Sequence, residues 1–255
     1  MKKIIITGGP TNEFIDEVMK ITNMSTGSIA TTLGSLFLDA GYKVHLILNR
    51  AVNTRDVMAC ENAIDNLTID AVETTEDMLN ALYEASKSGD ADALIHASAV
   101  GDYKADFTFL LEDLAAHLWK KLEAGDIKSE ADLLKVMEDE KEAYQIDNSS
   151  KISSYQKNLT VKLTLTPKII ARLKEWYPDT LLIGCKLLEN VSKEELYEVA
   201  TKLCTKNNMD YILANDLADL RAGDPGRHLC TKDGFTGTKL DTPADIFAFV
   251  DSKLK

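Results

Sequence analysis

The sequence predicts an α/β fold of the doubly wound, Rossmann-like type, with a mostly parallel sheet, a helical insertion and a C-terminal hairpin. Short apolar runs alternate with segments of helical periodicity, which is the order of a β-α-β wind. Most of the runs end in glycine or polar residues, as parallel strands do where they open onto a ligand crevice. We expect one domain over 1–255, with the insertion at about 105–145.

The first strand is the run Ile4-Ile5-Ile6, and two turns of small residues follow it. One turn is Thr7 to Thr11 and contains Gly8 and Gly9. The other is Asn23 to Gly27, where Ser25 or Thr26 is the predicted N-cap of a helix. Small residues let backbone N–H groups approach a phosphate, and a helix N-terminus adds partial positive charge, so the pattern favours an anion-binding floor. The alternative is a tight strand–helix connection that uses glycine only for its backbone freedom. Neither a Walker A loop nor a G-x-G-x-x-G turn is present.

The later elements continue the alternation, with one interruption. Strands are predicted at 43–48, 69–72, 92–97, 159–165, 181–185 and 211–214, a hairpin at 228–240, and a last helix at 244–254. Between Lys104 and Ser150 the pattern changes to two amphipathic helices, about 107–123 and 129–143, with no strand between them. We interpret them as a lid or an interface at the edge of the main domain rather than as part of a sheet.

Composition excludes several classes of protein. With 255 residues and 45% hydrophobic residues the chain can bury a full core. Its net charge of −12 argues against a nucleic-acid partner. No apolar run approaches membrane-spanning length and the chain begins directly with a strand, which predicts a cytoplasmic protein without membrane contact. Scattered cysteines and histidines predict neither disulfides nor a metal cage made of protein side chains.

Candidate ligand-binding residues follow four predicted strands, and we expect these four clusters to converge at one edge of the sheet. They are Gly8 to Thr11, Ser98 to Tyr103, Gly184 to Lys186, and Asn215-Asp216. Taken alone, Asn215-Asp216 is more typical of a helix cap or an Asx-turn. Cys185 has no paired histidine, so a buried thiol is favoured over a nucleophile.

The lysines are the remaining candidates. Lys151 opens a polar loop, and Lys202 and Lys206 share one helical face. A lysine near a transferring phosphate neutralises developing charge. For each of them alone, a solvated surface lysine is the favoured alternative. No catalytic triad or serine elbow is present.

Six motifs between residues 7 and 216 together resemble a known family: TGGPTNEFIDEV, NMSTG, SAVGDY, KISS, CKLLE and ILAND, in that order. The family is phosphopantothenoylcysteine synthetase (phosphopantothenate–cysteine ligase), in its free-standing bacterial form. The resemblance implies that 4′-phosphopantothenate is activated by CTP or ATP with Mg²⁺ to an acyl-nucleotidylate, which L-cysteine then converts to the amide for coenzyme A biosynthesis. It also implies a homodimer whose active site is completed across the interface, for which 50–70 is the candidate surface.

The resemblance also implies the roles of individual residues. Asn23 and Lys151 would be catalytic, with Asn23 holding the acyl-nucleotidylate and Lys151 serving the first half-reaction. The resemblance implies that residues from the glycine turns and from the later motifs bind the substrate or the nucleotide. They are Gly8, Gly9, Ser25, Gly27, Ala99, Asp102, Gly184, Cys185, Lys186, Lys202, Lys206 and Asn215. No metal ligand is assigned.

Departures from the family pattern leave alternatives open. Met19, with Lys20 beside it, stands where many bacterial members carry arginine. CKLLE is closer to the eukaryotic pattern, whose members use ATP. One alternative function is a catalytically idle nucleotide-binding or regulatory relative that partners a phosphopantothenoylcysteine decarboxylase. Another is an NAD(P)-dependent reductase, suggested by fold analogy and disfavoured by the absent G-x-G-x-x-G.

Overall fold

An eight-stranded sheet dominates the computed structural model, which describes residues 1–255. The strands are β1 (Lys3–Gly8), β2 (Asn12–Phe14), β3 (Lys20–Thr22), β4 (Lys43–Asn49), β5 (Leu67–Val72), β6 (Ala93–His96), β7 (Tyr103–Leu110), β8 (Gln145–Ile146), β9 (Leu159–Leu165), β10 (Leu181–Leu188), β11 (Tyr211–Asp216), β12 (Arg227–Thr231) and β13 (Gly234–Leu240). The α-helices are α1 (Ser28–Asp39), α2 (Arg55–Met58), α3 (Ala63–Asn66), α4 (Thr75–Ser86), α5 (Leu111–Ala124), α6 (Glu130–Asp139), α7 (Ile170–Trp176), α8 (Lys193–Lys206), α9 (Leu217–Arg221) and α10 (Pro243–Leu254). A short 3₁₀ turn covers Lys141–Ala143.

The chain forms two compact units. Unit 1 consists of Met1–Thr11, Asn23–Val100 and Pro167–Lys255, and unit 2 consists of Asn12–Thr22 and Gly101–Thr166. The predicted single domain over 1–255 stays a prediction, because two compact units of one chain can belong to one domain. No helix has both the length and the apolar content needed to cross a membrane.

Unit 1 contains the large sheet, in the order β13-β12-β11-β10-β6-β1-β4-β5. The six strands from β11 to β5 are parallel, and β12 and β13 add an antiparallel hairpin at one edge. This confirms the predicted doubly wound α/β class with its C-terminal hairpin. After β1 the chain moves outward to β4 and β5, and it then returns to β6 on the other side of β1. The strand order therefore reverses between β1 and β6, which is where such sheets bind ligands.

Apolar side chains cover both faces of this sheet, because parallel strands are buried on both sides. Ile4 and Ile6 of β1 point to the face covered by α1 and α10, where Phe37 is fully buried. Ile5 points to the opposite face, which is covered by α4, α7 and α8. The three isoleucines are 0% exposed, so β1 lies at the centre of the core.

Unit 2 contains an antiparallel sheet, which corrects the prediction that 105–145 is purely helical. Its strands lie in the order β8-β7-β9, and β2 and β3 form a separate hairpin. The predicted helix from Phe107 begins at Leu111 instead. Phe107 and Phe109 lie in β7 and pack with Leu114 and Tyr144 in a small core. Aromatic and β-branched residues favour a strand at Phe107-Thr108-Phe109, and this preference decides against the helix.

Candidate functional site

Two glycine turns abut at the carboxyl end of β1. Gly9 has φ +80° and Gly27 has φ +72°, a conformation that side chains with a Cβ rarely adopt. A Cβ on either glycine would lie 2.6 Å from Cγ2 of Val52, and one on Gly27 would also lie 3.0 Å from the backbone nitrogen of Gly9. Gly8 serves packing instead, because a Cβ there would meet Cβ of Ala30 at 2.3 Å. Because these glycines have no Cβ, backbone atoms rather than side chains line the edge of the sheet at the end of β1.

Gly9→Ala tests this close approach. Gly41 is the matched control, because its φ is +81° but nothing lies within 4 Å of an added Cβ. Gly41→Ala should lower the free energy of unfolding by about 1 kcal/mol, the backbone penalty alone. Gly9→Ala should lower it by a further 1–3 kcal/mol or so, because Val52 must move. Urea denaturation measures both values, and equal losses would contradict the crowding at Gly9.

The N-terminus of α1 opens at the second of these turns. Gly27 is the N-cap and no side chain caps the helix, so the predicted cap at Ser25 or Thr26 is wrong. The Thr26 hydroxyl donates to Oγ of Ser28 at 3.1 Å and accepts a long bond from the Ser28 N–H at 3.4 Å, one residue outside the N-cap position. Ser25 is half-buried. A 12-residue helix without a side-chain cap keeps its partial positive charge directed at the turn, which suits an anion.

Asn23 fastens these turns to the loop after β6. Its amide Nδ2 donates to the carbonyl oxygens of Ala99 at 3.2 Å and Val100 at 3.1 Å. The Ala99 N–H in turn donates to the Gly9 carbonyl at 2.9 Å. Three predicted site residues, Asn23, Ala99 and Gly9, therefore lie in one hydrogen-bonded network. The network spans the strand pair at which the sheet order reverses.

A buried histidine below this network was not predicted from the sequence. Nδ1 of His96 lies 2.8 Å from Oγ1 of Thr7, and the same oxygen accepts a bond from the Ser98 N–H at 3.2 Å. Burial lowers the pKa of His96 to about 4, so the imidazole is neutral near pH 7. The strand register would have revealed this contact, because parallel pairing of β1 with β6 sets Thr7 opposite His96.

At the ends of β10 and β11 the two predicted residues of the last motif have different roles. The Asp216 carboxylate accepts backbone bonds from Asn190 at 3.1 Å, Val191 at 2.9 Å and Ala218 at 2.6 Å. The Val191 N–H foremost lowers its pKa, so Asp216 is an ionised cap, as the structural alternative predicted. Asn215 makes none of these bonds. It is 8% exposed and lies opposite Leu187 at the strand end.

Two residues of the predicted cluster on β10, Gly184 and Cys185, are held by packing in the sheet. A Cβ on Gly184 would lie 2.8 Å from Cδ1 of Ile212, so this glycine serves packing within the sheet layers. Burial raises the pKa of the Cys185 thiol to about 11. The thiol is therefore protonated, as the buried-thiol interpretation predicted, and does not act as a nucleophile. Lys186, opposite Ala214, is the half-buried polar member of the cluster.

Lys202 and Lys206 do not lie at this edge of unit 1. Both are in the last turns of α8, whose C-terminus leads to Asp210 at the amino end of β11. The Asp210 N–H donates to the Leu182 carbonyl at 3.0 Å, at the start of β10. Lys202 pairs with Glu198 instead. A helix between parallel strands runs against them, so its N-terminus, not its C-terminus, reaches the crevice edge.

Lys193 is the lysine that the sequence analysis missed at this edge. It is the first residue of α8, at the end of the helix that faces the carboxyl ends of the strands. Its ammonium pairs with the Asp219 carboxylate of α9. The predicted role of Lys202 and Lys206 at a triphosphate thus finds no support in the geometry of unit 1.

Unit 2 contains Asp102, Lys151 and the Met19-Lys20 pair. The Asp102 carbonyl accepts a bond from the Thr166 N–H at 3.0 Å, which joins the two ends of the segment Gly101–Thr166. Lys151 is exposed and forms no ion pair, and Ile152 beside it is buried. The carboxylate of Asp16 accepts the Ile152 N–H at 2.9 Å. Lys151 therefore extends into solvent from an anchored backbone.

No three His, Cys, Asp or Glu side chains are grouped so that they could hold a metal ion. Mg²⁺ keeps several waters and is commonly bound by one or two carboxylates together with substrate phosphates.

Fold and site together define a doubly wound α/β protein. At the edge where its strand order reverses, the side-chain amide of Asn23 joins two glycine turns to the loop after β6. Residues 1–146 match the family described as DNA/pantothenate metabolism flavoprotein C-terminal domain, and the chain belongs to this family. The family membership predicted from the six motifs is thereby confirmed.

Individual relatives agree with this assignment. The coenzyme A biosynthesis bifunctional protein CoaBC of Thermococcus kodakarensis is 30% identical over 216 residues, which are 85% of this chain and 41% of the relative. The chain thus spans less than half the length of that relative. The DNA/pantothenate metabolism flavoprotein from Streptococcus pneumoniae matches with a TM-score of 0.76 and 31% identity, over 100% of this chain and 98% of the other. A mutant of Cab2 in complex with phosphopantothenate-cysteine has the same fold, with a TM-score of 0.67 and 14% identity, over 99% of this chain and 86% of the other.

Proposed function

We propose that this chain is a ligase that joins 4′-phosphopantothenate to L-cysteine through an acyl-nucleotidylate. The observation that supports it most is the network of Asn23, Ala99 and Gly9 at the switch point of the sheet. The network joins the two glycine turns and the N-terminus of α1 at the edge of the sheet where a phosphate ester is expected to bind. The relatives' names place them in pantothenate metabolism and coenzyme A biosynthesis, in agreement with this substrate class.

The first half-reaction makes the carboxyl carbon reactive. A carboxylate oxygen of phosphopantothenate attacks the α-phosphorus of the nucleotide, and the bond to the β-phosphate breaks with its electron pair on pyrophosphate. A carboxylate alone is a poor acyl donor because oxide is a poor leaving group, and the ester to phosphate removes this obstacle. Both reactants are anions and the chain itself carries −12, so local cations must offset the repulsion. We assign this role to Lys151.

The second half-reaction forms the amide. The cysteine nitrogen attacks the acyl carbon, the carbon–oxygen bond to the nucleotide phosphate breaks, and the nucleoside monophosphate leaves while the ammonium loses its proton to the medium. Asn23 holds the intermediate. The protonated Cys185 of the enzyme does not compete as a nucleophile, because its thiol is neutral at physiological pH.

CTP is the proposed nucleotide and ATP the alternative, with Mg²⁺ entering as the counter-ion of the triphosphate. We further propose a homodimer, with 50–70 as the contact surface. This surface exposes Met58 at 60% and Ile64 at 93%, two apolar side chains that the proposed contact would cover.

The test measures pyrophosphate release from the protein with 4′-phosphopantothenate, Mg²⁺ and either CTP or ATP, with and without L-cysteine. We expect release with one nucleotide at a rate at least tenfold above the other, and amide formation only when cysteine is added. No release with either nucleotide would contradict the ligase. Nucleotide binding without release would instead support the idle regulatory relative, which the methionine at position 19 motivates.

A further inference from the structure

The turn between β2 and β3 is built around one buried carboxylate. Asp16 is 4% exposed, and its Oδ1 accepts the N–H groups of Val18 at 2.8 Å and Met19 at 2.7 Å. Across the same turn the Ile15 N–H donates to the Met19 carbonyl at 2.8 Å. The turn is thus closed by its own backbone and by Oδ1, which leaves the second carboxylate oxygen for a partner outside the hairpin.

That partner is the backbone of the loop that contains Lys151. Oδ2 of Asp16 accepts the N–H of Ile152, which is buried at 7% exposure, at 2.9 Å. Four residues earlier in the loop, Nδ2 of Asn148 donates to the Ile15 carbonyl at 2.8 Å. Both bonds end on adjacent residues of the turn. The segment from Asn148 to Ile152 is therefore attached at both of its ends to the turn between β2 and β3.

Lys151 is the exposed residue directly before the second anchor. Its own side chain forms no ion pair, so only the backbone anchors define where its ammonium begins. A loop of this length without anchors samples many backbone conformations, and each would move a lysine head group by several ångströms. Two anchors around four peptide bonds remove most of that freedom before any substrate binds.

We propose that Asp16 is a positioning residue that fixes Lys151 for the first half-reaction, an inference that rests on the function proposed above. Asp16 does not touch the reacting atoms. It acts through the Ile152 N–H, and Asn148 supports it from the other end of the segment.

The electrostatics of Asp16 agree with this role. The Ile152 N–H foremost, with those of Val18 and Met19 and the nearby charge of Lys151, holds the pKa of the Asp16 carboxyl below its usual range, against the opposing effect of burial. The carboxylate thus remains ionised at physiological pH and accepts three bonds at once. An amide in its place has one acceptor oxygen and an NH₂ group that repels an N–H donor.

Asp16→Asn tests the proposal, and Asp147→Asn is its matched control. Asp147 directly precedes this segment and its pKa is also lowered, but its carboxylate bonds only Ser149, two residues away, whose N–H donates to it at 2.9 Å. We expect Asp16→Asn to slow cysteine-independent pyrophosphate release on the order of 10–100-fold, the effect of misplacing a charged group by about 1 Å. The KM for the nucleotide should change less than threefold or so, because binding and positioning are separate. Asp147→Asn should release pyrophosphate at the wild-type rate.

Hydrogen exchange separates positioning from general loss of structure. In Asp16→Asn the Ile152 amide should exchange faster while amides of β7 and β9 keep their protection. If Asp16→Asn does not fold, Asn148→Ala removes the other anchor and should give the same selective loss of pyrophosphate release. A wild-type rate in the variant that folds, or a rate loss without faster exchange at Ile152, overturns the proposal. Absence of pyrophosphate release in the wild-type protein refutes the proposed function instead, so the two failures are distinct.

Discussion

Lys151→Gln is expected to reduce cysteine-independent pyrophosphate release by about 10³-fold, the loss expected when a charge-stabilising group is removed from phosphoryl-type transfer. Glutamine keeps the length and polarity of the side chain but has no positive charge to offset the approach of carboxylate to triphosphate. Because Lys151 is exposed and forms no ion pair, the substitution should leave the free energy of unfolding unchanged. Single-turnover pyrophosphate release and urea denaturation measure the two effects.

The control for this variant is Lys157→Gln, a lysine of the same loop that is also exposed. It removes the same charge from the same segment, so it reports any general electrostatic effect on binding an anion. We expect a change of less than threefold or so, since exposed charges are screened over a distance of about 10 Å. Equal losses in the two variants would show that Lys151 contributes only to the general field.

Asn23→Asp is expected to separate the two half-reactions. Pyrophosphate release should continue, but amide formation should fall about 100-fold because the acyl-nucleotidylate is held poorly and is lost to water. The structure supplies the reason. Asn23 donates two hydrogen bonds to the carbonyls of Ala99 and Val100, whereas an aspartate has no donor and places a negative charge against both oxygens. The ratio of pyrophosphate to amide product should therefore rise well above one.

Asn208→Asp provides the matched control for Asn23→Asp. Asn208 is exposed and follows the C-terminal end of α8, near the amino ends of the strands, and its substitution adds the same charge to the protein. The product ratio of this variant should remain near one. If Asn23→Asp also keeps a ratio near one at the wild-type rate, Asn23 does not hold the intermediate.

The parallel sheet of unit 1 could be predicted because its strands carry strong local signals. Ile4-Ile5-Ile6 and Leu181-Leu182-Ile183 are short continuous apolar runs, and Asp233-Gly234 marks the hairpin turn. Three strands of unit 2 carry weaker signals. Asn12–Phe14 and Lys20–Thr22 have three residues each, and the strand at Tyr103–Leu110 leads directly into a helix, so the helical period hides it.

The site could be predicted where it depends on backbone chemistry and missed where it depends on topology. Gly9 and Gly27 could be identified because a turn of small residues directly after a buried strand is typical of a close backbone approach. Lys202 and Lys206 were assigned to the triphosphate because they resemble the lysine pair of the family, and that assignment stays a prediction. Their spacing puts them on one helical face but does not tell which end of the helix faces the crevice. His96 required strand register, and Asp16 required a contact 136 residues distant in sequence.

The transfer of oxygen from carboxylate to nucleotide tests the proposed chemistry most directly. With 4′-phosphopantothenate labelled with ¹⁸O in its carboxylate, attack on the α-phosphorus leaves one labelled oxygen in the acyl-nucleotidylate bridge. After L-cysteine attacks the acyl carbon, mass spectrometry of the nucleoside monophosphate should find that one ¹⁸O atom in its phosphate. Label found only in inorganic phosphate or pyrophosphate, or remaining wholly in the pantothenate-derived substrate, would contradict activation through an acyl-nucleotidylate.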